Sequence, residues 1–144
     1  MTKRLENKIA LVTGAAQGIG AAIAHQFEEQ GATVWRTDVK PISGDRARQK
    51  DSAVEDDWKS LLAEIRDTSG RLDILVNNAG IELERPLEEV TLEIWRKVMS
   101  VNVDGVFLGC KLATDLLADR KSGLASVINI SSVAGLIGFP FQPA

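Results

Sequence analysis

The chain is 144 residues long, 44% apolar and 26% charged, with a formal net charge of -3 and a pI near 5.2. That balance sets aside disordered and fibrous classes, makes one globular domain the ceiling, and argues against a nucleic-acid partner, which requires clustered lysine and arginine. Cys110 is the only cysteine, so no internal disulfide can form; the N-terminus lacks a signal-peptide apolar core, and no apolar run nears the roughly 18 residues a bilayer demands, so the expected setting is the cytoplasm, with no membrane partner.

Short apolar runs alternate with stretches of helical character, the pattern of βαβ units that builds a parallel sheet covered on both faces. Residues 9–12 read as a buried strand and residues 19–30 as a helix closed by Gly31. Residues 32–37 are the second strand, ending at Asp38. The polar stretch 40–50, with Pro41, Ser43 and Gly44, reads as a loop too short for a long crossover helix, and residues 51–54 as a short third strand. Residues 55–68 are an amphipathic helix with Trp58, Leu61, Leu62 and Ile65 on one face. A fourth strand over 73–76 runs into Asn77-Asn78-Ala79-Gly80. Helices over 91–99 and 103–117 flank a break near Val101 and Asn102, and a fifth strand over 126–130 leads into Ser131-Ser132 and a loop rich in glycine and proline. Cys110, inside an apolar stretch, reads as a small core residue, and His25 as a surface or packing residue.

The first strand empties into Thr13-Gly14-Ala15-Ala16-Gln17-Gly18-Ile19-Gly20, three glycines at a strand-to-helix turn. Such a turn lets a pyrophosphate sit against main-chain N–H groups at a helix N-terminus; a tight turn with no ligand is the plain alternative. Asp38 follows Gly20 by 18 residues, at a strand end, where a carboxylate can accept hydrogen bonds from both adenosine ribose hydroxyls. That arrangement favours NAD. An NADP site would need a cation near the 2′-phosphate, yet Gln17 and Val39 hold the positions in question; Arg36 and Lys40 are the nearby cations, and Arg36 shares a face with Asp38 rather than replacing it. An ordinary surface aspartate at a strand end is again the bland reading.

The spacing Gly14-xxx-Gly18-x-Gly20, together with Asn77-Asn78-Ala79-Gly80, Ser100-Val101-Asn102-Val103-Asp104-Gly105 and Ile128-Asn129-Ile130-Ser131-Ser132-Val133-Ala134-Gly135, resembles the short-chain dehydrogenase/reductase family over the whole chain. The resemblance implies a Rossmann-type, doubly wound α/β fold with strand order 3-2-1-4-5, cut off before the family's sixth and seventh strands, so that residues 1–144 are the N-terminal, cofactor-binding portion of one domain. It places Gly14, Gln17, Gly18, Ile19 and Gly20 at the pyrophosphate and Asp38 at the ribose. Asp51 falls beside the adenine amino group, with Val39 or Ser52 nearby. Asn78, Ala79 and Gly80 pass the adenine ribose, while Asn77 braces the central strands. Asn102 is similar to the residue that bends its helix and holds a water in the family's proton relay. Ser132 is similar to the serine that polarises the substrate carbonyl, with Ser131 as runner-up. Asparagine or serine pairs at strand ends also satisfy turns without any catalytic duty.

By the same resemblance the reaction is hydride transfer between a nicotinamide and a small secondary alcohol or ketone, hydroxysteroids among them, in a protein that forms homo-oligomers. Its general acid–base would be a tyrosine thirteen residues after Ser132, at position 145, partnered by a lysine four residues further on. The sequence contains no tyrosine. These 144 residues are therefore expected to show little or no dehydrogenase activity, and to associate through the open edge of the fifth strand. A non-catalytic nucleotide-binding module is the alternative.

Overall fold

Ile9 to Val12 form an apolar run without alternation, as suits a strand covered on both faces. In the computed structural model, which describes residues 3–118 and 124–142, they open strand β1 (Ile9–Thr13), where Ala10, Leu11 and Val12 have no exposed surface. Helix α1 (Gly18–Glu29) follows; the chain leaves it through Gln30 and Gly31, whose φ of 92° is a left-handed conformation that favours glycine. Strand β2 (Thr33–Asp38), strand β3 (Ala47–Gln49), helix α2 (Glu55–Ser69) and strand β4 (Ile74–Asn77) come next. Helices α3 (Leu92–Met99), α4 (Gly105–Leu112) and α5 (Thr114–Leu117) then lead to strand β5 (Ser126–Asn129). All strand pairings are parallel, in the order β3-β2-β1-β4-β5. The fold is the Rossmann-type parallel α/β sheet, in strand order 3-2-1-4-5, that the resemblance implied.

Alternation along each strand divides the core in two. Leu11, Trp35 and Leu75 point to one face and pack with Trp58, Leu61, Leu62 and Ile65 of α2 and with Leu108 and Leu116. Ala10, Val12, Val34, Ile74 and Val76 point to the other, against Ala24, Ile23 and Phe27 of α1. Full burial of one such leucine or isoleucine contributes about 1.5–3 kcal/mol, so the stripe predicted on α2 anchors that helix. No helix among the described residues is long and apolar enough to cross a membrane.

Three local expectations are corrected. The third strand is Ala47–Gln49, inside the stretch read as loop, while residues 51–54 form a turn: Asp51 Oδ1 accepts from Ala53 N at 2.9 Å, and Val54 N donates to Asp51 O at 3.0 Å. Three residues are too few for a period to show, and besides its ladder to β2 the strand is held by its central side chain. Arg48 lies over the Trp35 ring, 5.4 Å from its centroid, and its guanidinium forks onto Glu64 of α2. That hydrogen bond holds the Glu64 carboxyl below its usual range and raises Arg48 further. Second, the break near Asn102 is a π-helical turn, Ser100–Asp104, which joins α3 to α4 without interrupting the helical path. Third, Cys110 is only half-buried, with Sγ 3.6 Å from Asn77 Nδ2. The residues of β5 are all exposed, Val127 to 45% and Ile128 to 39%.

Candidate active site

Because every strand runs the same way, Thr13, Asp38, Asn77 and Asn129 reach one edge of the sheet together. Strand order reverses between β1 and β4, and a crevice at such a switch point is where open α/β sheets bind ligands. A cleft of about 480 Å³ opens there, within the range of ordinary small-molecule sites.

The glycine turn forms its floor. Gly14 has φ 64° and Gly18 φ 59°, both left-handed, which costs other L-residues about 1–2 kcal/mol. At Gly14 a Cβ would lie 2.9 Å from Ala79 Cα, and at Gly20 it would lie 2.3 Å from Gly14 O and 2.4 Å from Asn78 Nδ2. At Gly18 it would meet nothing within 4 Å. Gly14 and Gly20 are thus demanded by the protein's own packing, whereas Gly18 faces open space on the cleft wall. Gln17 takes the N-cap of α1 without capping it by side chain, so the leading amides of the helix keep their donors for another acceptor.

Thr13 ties this turn to β4. Its buried hydroxyl accepts from Asn78 N and Ala79 N, each at 3.0 Å, and donates to Val76 O at 3.3 Å. In return Asn78 Nδ2 donates to Thr13 O at 2.9 Å and Gly14 O at 3.1 Å. Asn77, the other asparagine of the pair, donates to Asn129 Oδ1 at 2.9 Å and so clamps β4 to β5.

The wall at the end of β2 carries Asp38, Val39 and Lys40. Asp38 Oδ2 accepts from Ala16 N at 3.0 Å and Oδ1 from Lys40 N at 2.9 Å. These bonds aim the carboxylate at the glycine turn, and each oxygen retains acceptor capacity. Asp51 and Ser52 close the next side; the Asp51 carboxylate also caps its own turn, and Ser52 O accepts from Trp58 Nε1 at 2.9 Å. Asn78, Ala79, Gly80 and Ile81 line the opposite wall with Lys97 and Val101. Arg36 lies elsewhere, 3.8 Å from Glu28, and His25 is an exposed neighbour of Glu29.

Of the residues singled out from sequence, Gly14, Gln17, Gly18, Asp38, Val39, Asp51, Ser52, Asn78, Ala79 and Gly80 converge on this one cleft. Ile19, Gly20, Asn102 and Ser132 are not on its wall. Ile19 is 63% exposed beside it. Asn102, in the π turn, accepts from Ile81 N through Oδ1 and donates to Ile81 O through Nδ2, both at 2.9 Å, which pins the strand-end loop to the helix. Ser132 stands three residues beyond β5, exposed, where its Oγ accepts from Ala134 N at 3.1 Å. Sequence reasoning passed over Thr13 and gave Lys40 no role; a threonine ending a buried strand is the one signal that could have marked Thr13.

The short chain dehydrogenase family profile matches residues 8–144. The chain is 40% identical over 152 residues to an NADP-dependent (R)-specific alcohol dehydrogenase of Lentilactobacillus kefiri, with 97% of this chain and 60% of that protein covered. It is 34% identical over 150 residues to a cyclopentanol dehydrogenase of Comamonas testosteroni (95% and 59% covered). Against a 3-beta-hydroxysteroid dehydrogenase of the same organism the identity is 33% over 144 residues (93% and 56% covered). It therefore spans somewhat under two thirds of the length of these relatives. A match from strand β1 onward, carried by a parallel sheet whose order reverses at a glycine-floored cleft, establishes that the chain belongs to the short-chain dehydrogenase family of oxidoreductases.

Proposed function

We propose that the chain provides the dinucleotide-binding part of an enzyme that interconverts a secondary alcohol and a ketone, hydroxysteroids among the candidates, and that it takes NAD in preference to NADP. The observation that carries this is Asp38: its carboxylate is held by Ala16 N and Lys40 N at the rim of the cleft, beside the open face of Gly18. The residues fit the cofactor, because a Cβ at Gly18 would occupy the space where phosphates approach the α1 amides, and a carboxylate rather than an arginine ends β2. When bound, the nicotinamide supplies the hydride acceptor or donor. A 2′-phosphate next to Asp38 would set like charges side by side, whereas two ribose hydroxyls would donate to it.

In this reading Asn102 is a positioning residue whose two bonds to Ile81 hold the loop after Gly80 in place. Ser132 Oγ accepts one bond from Ala134 N, which leaves its hydroxyl hydrogen available to donate to the substrate oxygen. The sequence holds no tyrosine, so these residues alone bind cofactor without turnover, and the enzyme works as a cytoplasmic homo-oligomer. The test is fluorescence titration with NADH and NADPH. Wild type is expected to bind NADH more tightly, and D38A to weaken NADH by about tenfold or more, the worth of a hydrogen bond to a charged acceptor. Equal affinity for the two dinucleotides, or NADH binding indifferent to D38A, would overturn it.

A further inference from the structure

The part of the cleft wall formed by Lys50, Asp51 and Ser52 lies between β3 and α2, and two neighbouring residues in the first turn of α2 hold it from behind. Asp57 Oδ2 accepts from Asp51 N at 2.7 Å, and Asp57 Oδ1 lies 3.6 Å from Lys50 Nζ. Trp58, itself buried, donates from Nε1 to Ser52 O at 2.9 Å. Helix α4 leans on the same carbonyl: a Cβ at Gly105 would stand 3.1 Å from Ser52 O. The bond from Asp51 is not one that the helix itself asks of Asp57. An acidic side chain at the third helical position ordinarily reaches back to the N-cap amide, here that of Val54. Val54 N instead donates to Asp51 O at 3.0 Å, and α2 has no side-chain cap. Asp57 therefore passes over its own helix terminus and holds the wall three residues ahead of it. Its neighbour Asp56, 91% exposed, pairs with Lys59. The result is that Asp51 is fixed at its N–H by Asp57, at its C=O by Val54 and at Oδ1 by Ala53 N, while its carboxylate keeps acceptor capacity toward the cleft.

Resting on the reading of the cleft as a dinucleotide site with Asp51 beside the adenine amino group, we propose that Asp57 is a positioning residue for recognition of the base. Asp57 is not on the cleft wall and touches no part of the cofactor. It acts through the Asp51 main chain, whose amide it gives a charged acceptor. Without that acceptor the turn 51–54 is free to rotate, and the Asp51 carboxylate no longer waits in the one orientation that meets an amino group. A carboxylate held in place favours a purine that donates to it and opposes one that presents a carbonyl oxygen there, so the rigidity supplied by α2 is what turns a contact into a preference.

The experiment titrates NADH and reduced nicotinamide hypoxanthine dinucleotide, in which a carbonyl replaces the adenine amino group, into wild type, D57A, D57N, D56A, D51A and D51A/D57A, with thermal unfolding to establish that each is folded. Wild type is expected to prefer NADH. D57A lowers that preference by roughly tenfold, the worth of one hydrogen bond to a charged acceptor, by weakening NADH and changing the analogue far less. D57S, a second truncation, carries the same expectation. D57N keeps an acceptor oxygen and restores most of the preference; D56A, which removes a charge from the same helical turn, leaves it unmoved. In the D51A background D57A adds little, because the two residues act as one unit. A preference that D57A and D57S leave unmoved, a loss common to both dinucleotides, or a wild type that binds the two alike overturns the role of Asp57 and leaves the dinucleotide assignment standing. Folded wild type that binds neither overturns the assignment itself, and this inference with it.

Discussion

Gly20→Ala sets two physical effects against each other. Gly20 lies inside α1 without a left-handed backbone, so helix propensity by itself favours alanine by about 1 kcal/mol. The added Cβ, however, would stand 2.3 Å from Gly14 O and 2.4 Å from Asn78 Nδ2, against an ordinary contact of 3.4 Å or more. Relief requires the start of α1 to move about 1 Å from the turn it packs on, an overpacking cost of about 1–3 kcal/mol. The same shift disturbs the bonds of Asn78 Nδ2 to Thr13 O and Gly14 O, each worth about 0.5–1.5 kcal/mol. The net expectation is a destabilisation of about 1–5 kcal/mol once the propensity gain is subtracted. Urea unfolding at unchanged m-value reads it directly. Gly18→Ala is the control: its Cβ meets nothing within 4 Å, so only the left-handed φ is charged against it, about 1–2 kcal/mol. A G20A protein as stable as wild type, or one less affected than G18A, would refute the claim that close packing rather than conformational freedom demands Gly20.

Two further outcomes follow from bonds outside the glycine turn. Thr13→Val keeps the shape but strands the amides of Asn78 and Ala79, for an expected loss of about 2–4 kcal/mol. Thr13→Ser loses only a methyl group, about 1 kcal/mol; equal denaturation midpoints for the two variants would contradict the hydroxyl's role. For Glu64, whose carboxyl is lowered from 4.5 by the Arg48 hydrogen bond, a depressed folded value means stability that is present above the unfolded pKa and lost as pH falls through the folded one. Both partners are about a third exposed, so the contribution is discounted to under about 1 kcal/mol. E64Q is therefore expected to be slightly less stable than wild type near neutrality, and the gap to close below about pH 4. A gap that persists or widens in acid would count against the ion pair.

Much of this molecule was legible before any coordinates. An unbroken apolar run, a glycine triplet on its exit and an acidic residue at the next strand end are short-range signals, and they led directly to the sheet, the turn and Asp38. The amphipathic stripe of Trp58, Leu61, Leu62 and Ile65 likewise declared which face of α2 is buried. Other features are pairings between distant residues, which no local period records. Strand β3 was missed because three residues carry no alternation and Arg48 is held by Trp35 and Glu64 from other elements.

What the sequence alone determined is the order of elements and the residue types at each strand end, because backbone conformation and burial pattern are decided within a few neighbours. Only the tertiary structure decided why Gly20 must be small, that Thr13 rather than a glycine locks the turn to β4, that Asn102 serves Ile81, and that Asp57 holds Asp51. Those roles depend on which atoms approach within a few ångströms once the strands lie side by side. Thr13 and Asn78 stand 65 residues apart in the chain and 3.0 Å apart in the fold.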